Sequence, residues 1–407
     1  MPTNQRLHKS ICVPFSEEDY STLLGEPEAF RRYLNQVYAH HPELFPEAMR
    51  DGFVFHSFVW SRKQQLSLRR IQLRNGQVYQ IRPSFVMPYM VGKTDDVEKA
   101  LYLRRFGVPF EALAYVFGRD AMYWYRLTVS LGRNSLVGTT LKSADALPAH
   151  LVADEKHTRR QGKPAYIATT AAEGCFLGAE VSEAADTESL TQAYGVFQQE
   201  AQAIHEDYMP ETVTTDGWEP TQKAFKALFP KVTLLLCFLH AFLKLRDRAK
   251  RLKQDWFTLA DKLWNTYDAP TRACFSQRLR RLNEWVQHHI SLESVRHTMT
   301  KIARHVTRYS LAYRFPDAPR TTNPVDRLMN YQDRCLEDGQ LFHGTRDSAN
   351  LAARAMALLW NFHPYGTRTR NGQAHRGSPF EDINGFRYHD SWLQNFMIAA
   401  SRAGNPP

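Results

Sequence analysis

The chain is poor in cysteine. It has five, none of them in a C-x-x-C pair. Cys12, Cys175, Cys237, Cys274 and Cys335 are scattered and odd in number, which argues against a zinc ribbon or a disulfide framework and fits a reducing compartment. Long hydrophobic runs are also missing. The longest, 232–239 and a little beyond, falls short of the ~20 apolar residues that cross a bilayer and reads as a buried strand entering a helix. The opening segment, MPTNQRLHKS, has no apolar signal region, and no low-complexity tract or internal repeat stands out. These shortages predict a cytoplasmic protein without membrane contact. Acid is scarce too, with 42 Asp and Glu against 52 Lys and Arg and a formal charge of +10. That excess suits a polyanionic partner, because basic side chains release condensed counterions from phosphates.

The 407 residues suggest two or three domains. Residues 1–92 read as a β-containing region. FVFHSFVW and LSLRRIQLRNGQVYQIRP alternate like strands, with Asn75-Gly76 as a hairpin turn. Residues 93–145 are helical. A helix over 97–105, capped by Asp95 or Asp96, ends at Phe106-Gly107-Val108-Pro109. A short apolar helix (Phe110, Leu113, Phe117) and a Gly118 break then lead to an aromatic helix over 120–131. Two helices joined by a glycine turn predict a helix-turn-helix, in which Arg119, Tyr123 and Arg126 would meet DNA. A plain three-helix bundle is the alternative.

From residue 146 the pattern becomes α/β. AHLVADEK reads as a strand ending at Asp154 and Glu155. PAYIATTA and CFLGAEVS are two more strands, followed by an amphipathic helix with Leu190, Tyr194, Phe197 and Ala201 on one face. ETVTTD, EPTQKAFKALFP and KVTLLLC are strand, helix and buried strand. This order predicts a ribonuclease-H-like mixed sheet over 146–240. Residues 241–315 predict a basic helical insertion, with sixteen Lys or Arg against six Asp or Glu over 241–314. Such a block lies along DNA or is simply a solvated face. Residues 316–407 hold the last core helices, a loop (YGTRTRNGQAHRGSP) and a docking tail (WLQNFMIAA).

Asp154 and Asp216 each leave a strand end, where an α/β sheet presents its site. An Asp before a helix is ordinarily a cap. Two on neighbouring strands suit divalent metal, since Mg²⁺ takes hard oxygen ligands and keeps waters for substrate to replace. Paired ions in such sites support in-line displacement at phosphorus.

From Asp154 to about residue 362 the chain resembles the catalytic domain of insertion-sequence DDE transposases. VTTDGWEPTQKAFKALFP is similar to their Thr-Asp-Gly segment, and LLLCFLHAFLKLRDRAKR to the Cys-x-x-His signature of the Mutator-like group, with Cys237 and His240 in the matching places. RTTNPVDRLMNYQDR resembles the Asn-x-x-Glu opening of the last core helix, with Asp326 in place of Glu. Asp is one methylene shorter, roughly 1.5 Å of reach. Glu337, Glu381 and Asp382 are fallback candidates.

The resemblance implies Asp154, Asp216 and Asp326 as catalytic metal ligands, Mg²⁺ (or Mn²⁺) as cofactor, and double-stranded DNA as partner. It also implies action as a homo-oligomer on DNA. Thr322 or Asn323 would cap the helix of Asp326, with Pro324 in its first turn. His240 would touch a scissile phosphate, and Trp218 would stack on an unpaired base. For both, a packed residue is the more common reading. The rival functions are a catalytically inactive or repurposed transposase that only binds DNA, and a stand-alone nuclease.

Overall fold

The computed structural model describes residues 9–252, 254–338, 341–366 and 377–407. It is a mixed α/β structure with two mixed sheets. The first contains β1 (Ser10–Val13), β2 (Phe53–Ser61), β3 (Leu66–Leu73) and β4 (Val78–Pro83), in the order β1-β4-β3-β2. The helices α1 (Glu17–Gly25) and α2 (Pro27–His40) lie in sequence between β1 and β2. The Asn75-Gly76 turn forms as the sequence predicts. Gly76 takes φ +81°, open to glycine without strain, and its N–H donates to Leu73 O at 2.9 Å.

Four helices follow: α3 (Thr94–Arg104), α4 (Phe110–Phe117), α5 (Ala121–Leu131) and α6 (Leu136–Thr140). α3 starts earlier than its apolar periodicity suggests. Lys93 is its N-cap residue, and Asp96 sits inside the first turn, where its carboxylate accepts the Lys93 N–H at 3.2 Å. Asp120 caps α5 through the Tyr123 N–H at 2.6 Å. Trp124, Leu127 and Leu131 of α5 enter the same core as the first sheet and the later helices, so this segment is packed into the body of the protein.

The second sheet contains β5 (His150–Arg160), β6 (Lys163–Ala172) and β7 (Cys175–Ser182), then α7 (Thr187–Ile204), β8 (Thr212–Thr215), α8 (Glu219–Leu228) and β9 (Thr233–Leu236). Its order is β7-β6-β5-β8-β9, with β7, β6 and β5 antiparallel and β5, β8 and β9 parallel. β5 runs well past Asp154, where its apolar pattern stops. Lys156 to Arg160 stay in register with Lys163 to Ile167, so the hairpin continues on backbone pairing with polar side chains outside.

Between β9 and the last helices lie α9 (Phe238–Arg248), α10 (Gln254–Tyr267), α11 (Arg272–His289), α12 (Glu293–Arg304) and α13 (Val306–Ser310). They bury a separate core that includes Leu259, Phe275 and Val286. The chain ends with α14 (Asn323–Asp338), α15 (Arg346–Phe362), α16 (Pro379–Asn384) and α17 (Trp392–Ala399), the last buried as the predicted docking tail. Most of the predicted loop before it lies outside the described residues. Among the described residues, no helix is long and apolar enough to cross a membrane.

The two faces of β5 meet different layers. Leu151 and Ala153 pack with Tyr194, Phe197 and Phe225 of α7 and α8, whereas Val152 packs with Val325, Leu328 and Tyr331 of α14. Period-two alternation therefore sends Asp154 and Lys156 to the α14 side and Glu155 to the α7 side.

The outer edge of β7 is closed by side chains of α15. Asn361 accepts the Phe176 N–H and donates to Phe176 O, both at 2.8 Å, and Asn350 accepts the Val181 N–H at 2.7 Å. These amides replace a neighbouring strand on an edge that would otherwise be bare. Asn361→Ala is expected to cost about 2–3 kcal/mol, because it strands buried backbone groups of Phe176. Chemical denaturation checks this, and a loss below ~0.5 kcal/mol would contradict it.

Candidate active site

Parallel pairing sets Asp154 and Asp216 at one level. Val152 pairs with Thr214, and two residues further along Asp154 lies within β5 and Asp216 just past the end of β8. Gly217 follows at φ +95°, and this turn swings the chain off the sheet into α8. The turn also orients the carboxylate, since Asp216 Oδ1 accepts the Trp218 N–H at 2.7 Å. Asp154 Oδ1 accepts the Glu155 N–H at 2.8 Å.

Asp326 is in the first turn of α14, as predicted, and its N–H donates to Thr322 O at 3.0 Å. α14 packs on β5 and β6. Lys156 pairs with Asp333 at 2.5 Å, which fixes the register of helix against strand. Two turns back along the same helix face is Asp326, and two residues back along the same strand face is Asp154.

The electrostatics agree with this placement. Burial raises the Asp154 carboxyl to about 7, and the charges of Asp216, Glu155 and Asp326 push it the same way. Burial also raises Asp326, opposed by His240. Burial lowers the His240 imidazole, while Asp216 and Asp326 pull it up and Lys244 adds to the lowering. Asp154 thus feels the charges of Asp216 and Asp326, and His240 feels the same two. Among the described residues, no Lys or Arg forms an ion pair with Asp154, Asp216 or Asp326.

Glu155, next to Asp154, serves another purpose. It is buried on the opposite face, where its Oε1 accepts the Tyr194 hydroxyl at 2.7 Å and the Thr221 hydroxyl at 2.6 Å. It ties β5 to α7 and α8. The fallback carboxylates also stand apart. Glu337 is exposed near the far end of α14, Asp382 accepts the Tyr365 hydroxyl, and Glu381 lies with Ser378 and Arg387.

Trp218 stands beside Asp216 as expected. Its ring stacks on His157 at 6.2 Å between centroids and meets the edge of Tyr166 at 6.3 Å. His157 and Tyr166 were not legible as neighbours of Trp218, since the contact forms across a hairpin and no spacing encodes it. The predicted DNA contacts on α5 are elsewhere. Arg119 and Arg126 are exposed, and the Arg119 guanidinium covers the Tyr123 ring at 4.5 Å. The Tyr123 hydroxyl is committed to Val91 O at 2.6 Å. On α9, Lys244, Arg246 and Arg248 are exposed, leading away from His240.

Among the described residues, no group of three or more His, Cys, Asp or Glu side chains is assembled to hold a metal ion. The donors present nevertheless fit a hard divalent ion of the kind that binds one or two carboxylates and completes its shell with substrate oxygens. Crowded carboxylates without a counter-cation are the observation behind this fit.

A stability prediction follows. Asp154 binds its proton more tightly folded (about 7) than unfolded (3.8), so its favourable contribution is present below 3.8 and lost as pH rises through 7. With metal chelated at pH 7.5, Asp154→Asn is expected to be more stable than the parent by about 1–3 kcal/mol. The gain should vanish near pH 4. A thermal unfolding series across that range checks it, and equal midpoints at pH 7.5 would contradict it.

No known family profile matches this chain, and no curated protein matches it.

Proposed function

We propose that the protein is a DNA transposase that cleaves and joins strands with divalent metal held by Asp154, Asp216 and Asp326. The observation that carries this reading is that Asp154, within β5, and Asp216, just past the end of β8, lie at one level on adjacent parallel strands, with Asp326 in the first turn of the helix packed over the Asp154 face. The β7-β6-β5-β8-β9 order, three antiparallel strands and then two parallel additions, supports a ribonuclease-H-like sheet. The α9–α13 block interrupts it before the third carboxylate, as in the transposases the sequence resembles.

Mg²⁺ or Mn²⁺, when bound, supplies an activated oxygen nucleophile and stabilises the leaving oxygen. The chain's own part is positioning. Asp154 from within β5 and Asp216 from the end of β8 would face the scissile phosphate, and Asp326 would close the site from α14. Trp218, backed by His157, offers a flat face to an unpaired base, and His240 offers a ring nitrogen at the rim. Exposed Lys244, Arg246 and Arg248 suit the DNA backbone, as do Arg119 and Arg126 if α4 and α5 act as a helix-turn-helix. Such chemistry on paired DNA ends calls for a homo-oligomer.

The short Asp326, and the lack among the described residues of a group of three or more assembled metal-binding side chains, favour one second reading, a DNA-binding protein without catalysis. Purified protein, Mg²⁺ or Mn²⁺, and DNA carrying the inverted repeats flanking the gene separate the readings. Metal-dependent 3′ ends that become joined to target DNA are expected. Cleavage without joining points to a nuclease, and binding without cleavage to the second reading.

A further inference from the structure

The helical insertion leaves the sheet at Cys237 and returns at Thr322, 85 positions later, and the two ends touch. The Thr322 N–H donates to Cys237 Sγ at 3.1 Å, and Thr322 Oγ1 lies 3.3 Å from the same sulfur. Thr322 Oγ1 also meets His240 Nδ1 at 3.2 Å. One residue further into α9, the Phe238 N–H donates to Arg320 O at 3.2 Å. On the sheet side, the Cys237 N–H donates to Thr215 O at 2.8 Å, next to Asp216. On the helix side, Thr322 O accepts the Asp326 N–H at 3.0 Å. A continuous run of hydrogen bonds thus joins the backbone before Asp216 to the backbone of Asp326. Cys237 and Thr322 are fully or nearly fully buried, so each lost partner leaves a polar group without water.

We propose that Cys237, His240 and Thr322 form a clasp that closes the neck of the insertion and sets Asp326 against Asp216. On this reading the Cys-x-x-His spacing is a positioning device and not half of a zinc site. The spacing has a reason: Cys237 follows β9 as the N-cap residue of α9, and the first turn of α9 brings the residue three later back to the same threonine. The clasp is the tie nearest the start of α14: just before it, Thr214 Oγ1 donates to Pro319 O at 2.6 Å and the Phe238 N–H to Arg320 O, and closing a segment this long carries an entropic cost that grows with length. The inference rests on the proposed metal site.

The test is Mn²⁺ binding to the full chain, followed by the loss of free-ion signal in electron paramagnetic resonance, with cleavage measured in parallel. Thr322→Val keeps the branched shape and removes the hydroxyl. It is expected to weaken Mn²⁺ binding about tenfold, the range for groups that orient a ligand, and Thr322→Ser should restore it to within about threefold. His240→Ala, at a partly buried position, should lose a similar factor. His240→Asn, which retains a polar atom near Nδ1, should recover most of it. Wild-type Mn²⁺ affinity in both Thr322→Val and His240→Ala would overturn the clasp while leaving the site intact. Wild-type affinity in Asp216→Ala would instead remove the site itself. Zinc in the purified protein that is lost in Cys237→Ala would overturn the clasp in favour of a metal ligand.

Discussion

Asp216→Ala and Asp216→Asn are expected to lower metal-dependent strand cleavage by about 10³-fold, with DNA binding retained. A metal's charge stabilisation in the transition state is worth several kcal/mol, and ~4 kcal/mol corresponds to three decades in rate. The Asn variant is the more informative. Its side-chain oxygen can still accept the Trp218 N–H that shapes the turn, so the fold is preserved while the charge is removed. The same loss is expected for Asp154→Asn, from the neighbouring strand at the same level. Single-turnover cleavage of labelled DNA measures the effect, and a shift assay confirms binding. Cleavage undiminished in Asp216→Asn would falsify the assignment. No cleavage by the parent under any divalent ion would favour the DNA-binding reading.

The largest stability effect is expected at Arg354. Its guanidinium sits in the interior between α15, β7 and α7. Nη1 donates to Glu180 at 2.6 Å, Nη2 donates to Glu200 and to Asn134 O, and Nε donates to Gly132 O at 3.2 Å. Glu200 extends the network by accepting the Val137 N–H at 2.9 Å, at the start of α6. Only 12% of the Arg354 side chain is exposed, against 10% for Glu180 and 17% for Glu200. Arg354→Met would leave two carboxylates facing each other without their ion-pair partner, with only the charge of Arg346 acting on Glu180, and two carbonyls without this donor. Breaking a buried ion pair from one side costs about 3–5 kcal/mol. Added Glu180→Gln and Glu200→Gln should recover part of the loss, because the uncompensated charge is what costs most. Denaturant midpoints measure both, and a loss under ~1 kcal/mol for Arg354→Met would show that water reaches this network.

Much of the secondary structure could be read from local pattern. CFLGAEVS is β7, TESLTQAYGVFQQEAQAI is α7, and the Asn75-Gly76 turn joins two strands, because alternation, helical spacing and turn chemistry act between near neighbours. Asp326 in the first turn of α14 was legible from Asn323-Pro324. The end of β5 was not. Polarity begins at Asp154, but hairpin pairing carries the strand on to Arg160. Nor was Glu155 separable from Asp154. The two are adjacent carboxylates, and only the sheet's two faces show that one binds Tyr194 and Thr221 while the other looks toward α14.

The sequence by itself determined the segment types, the basic balance and the candidate acids, because each depends on composition or on residues a few positions apart. Tertiary structure alone decided that β8 adds beside β5, that α14 lies over the face bearing Asp154, and that Thr322 closes on Cys237 and His240. These juxtapositions follow from strand register and from which face each layer buries. Both are set by the packing of segments distant in the chain, so no local spacing can encode them.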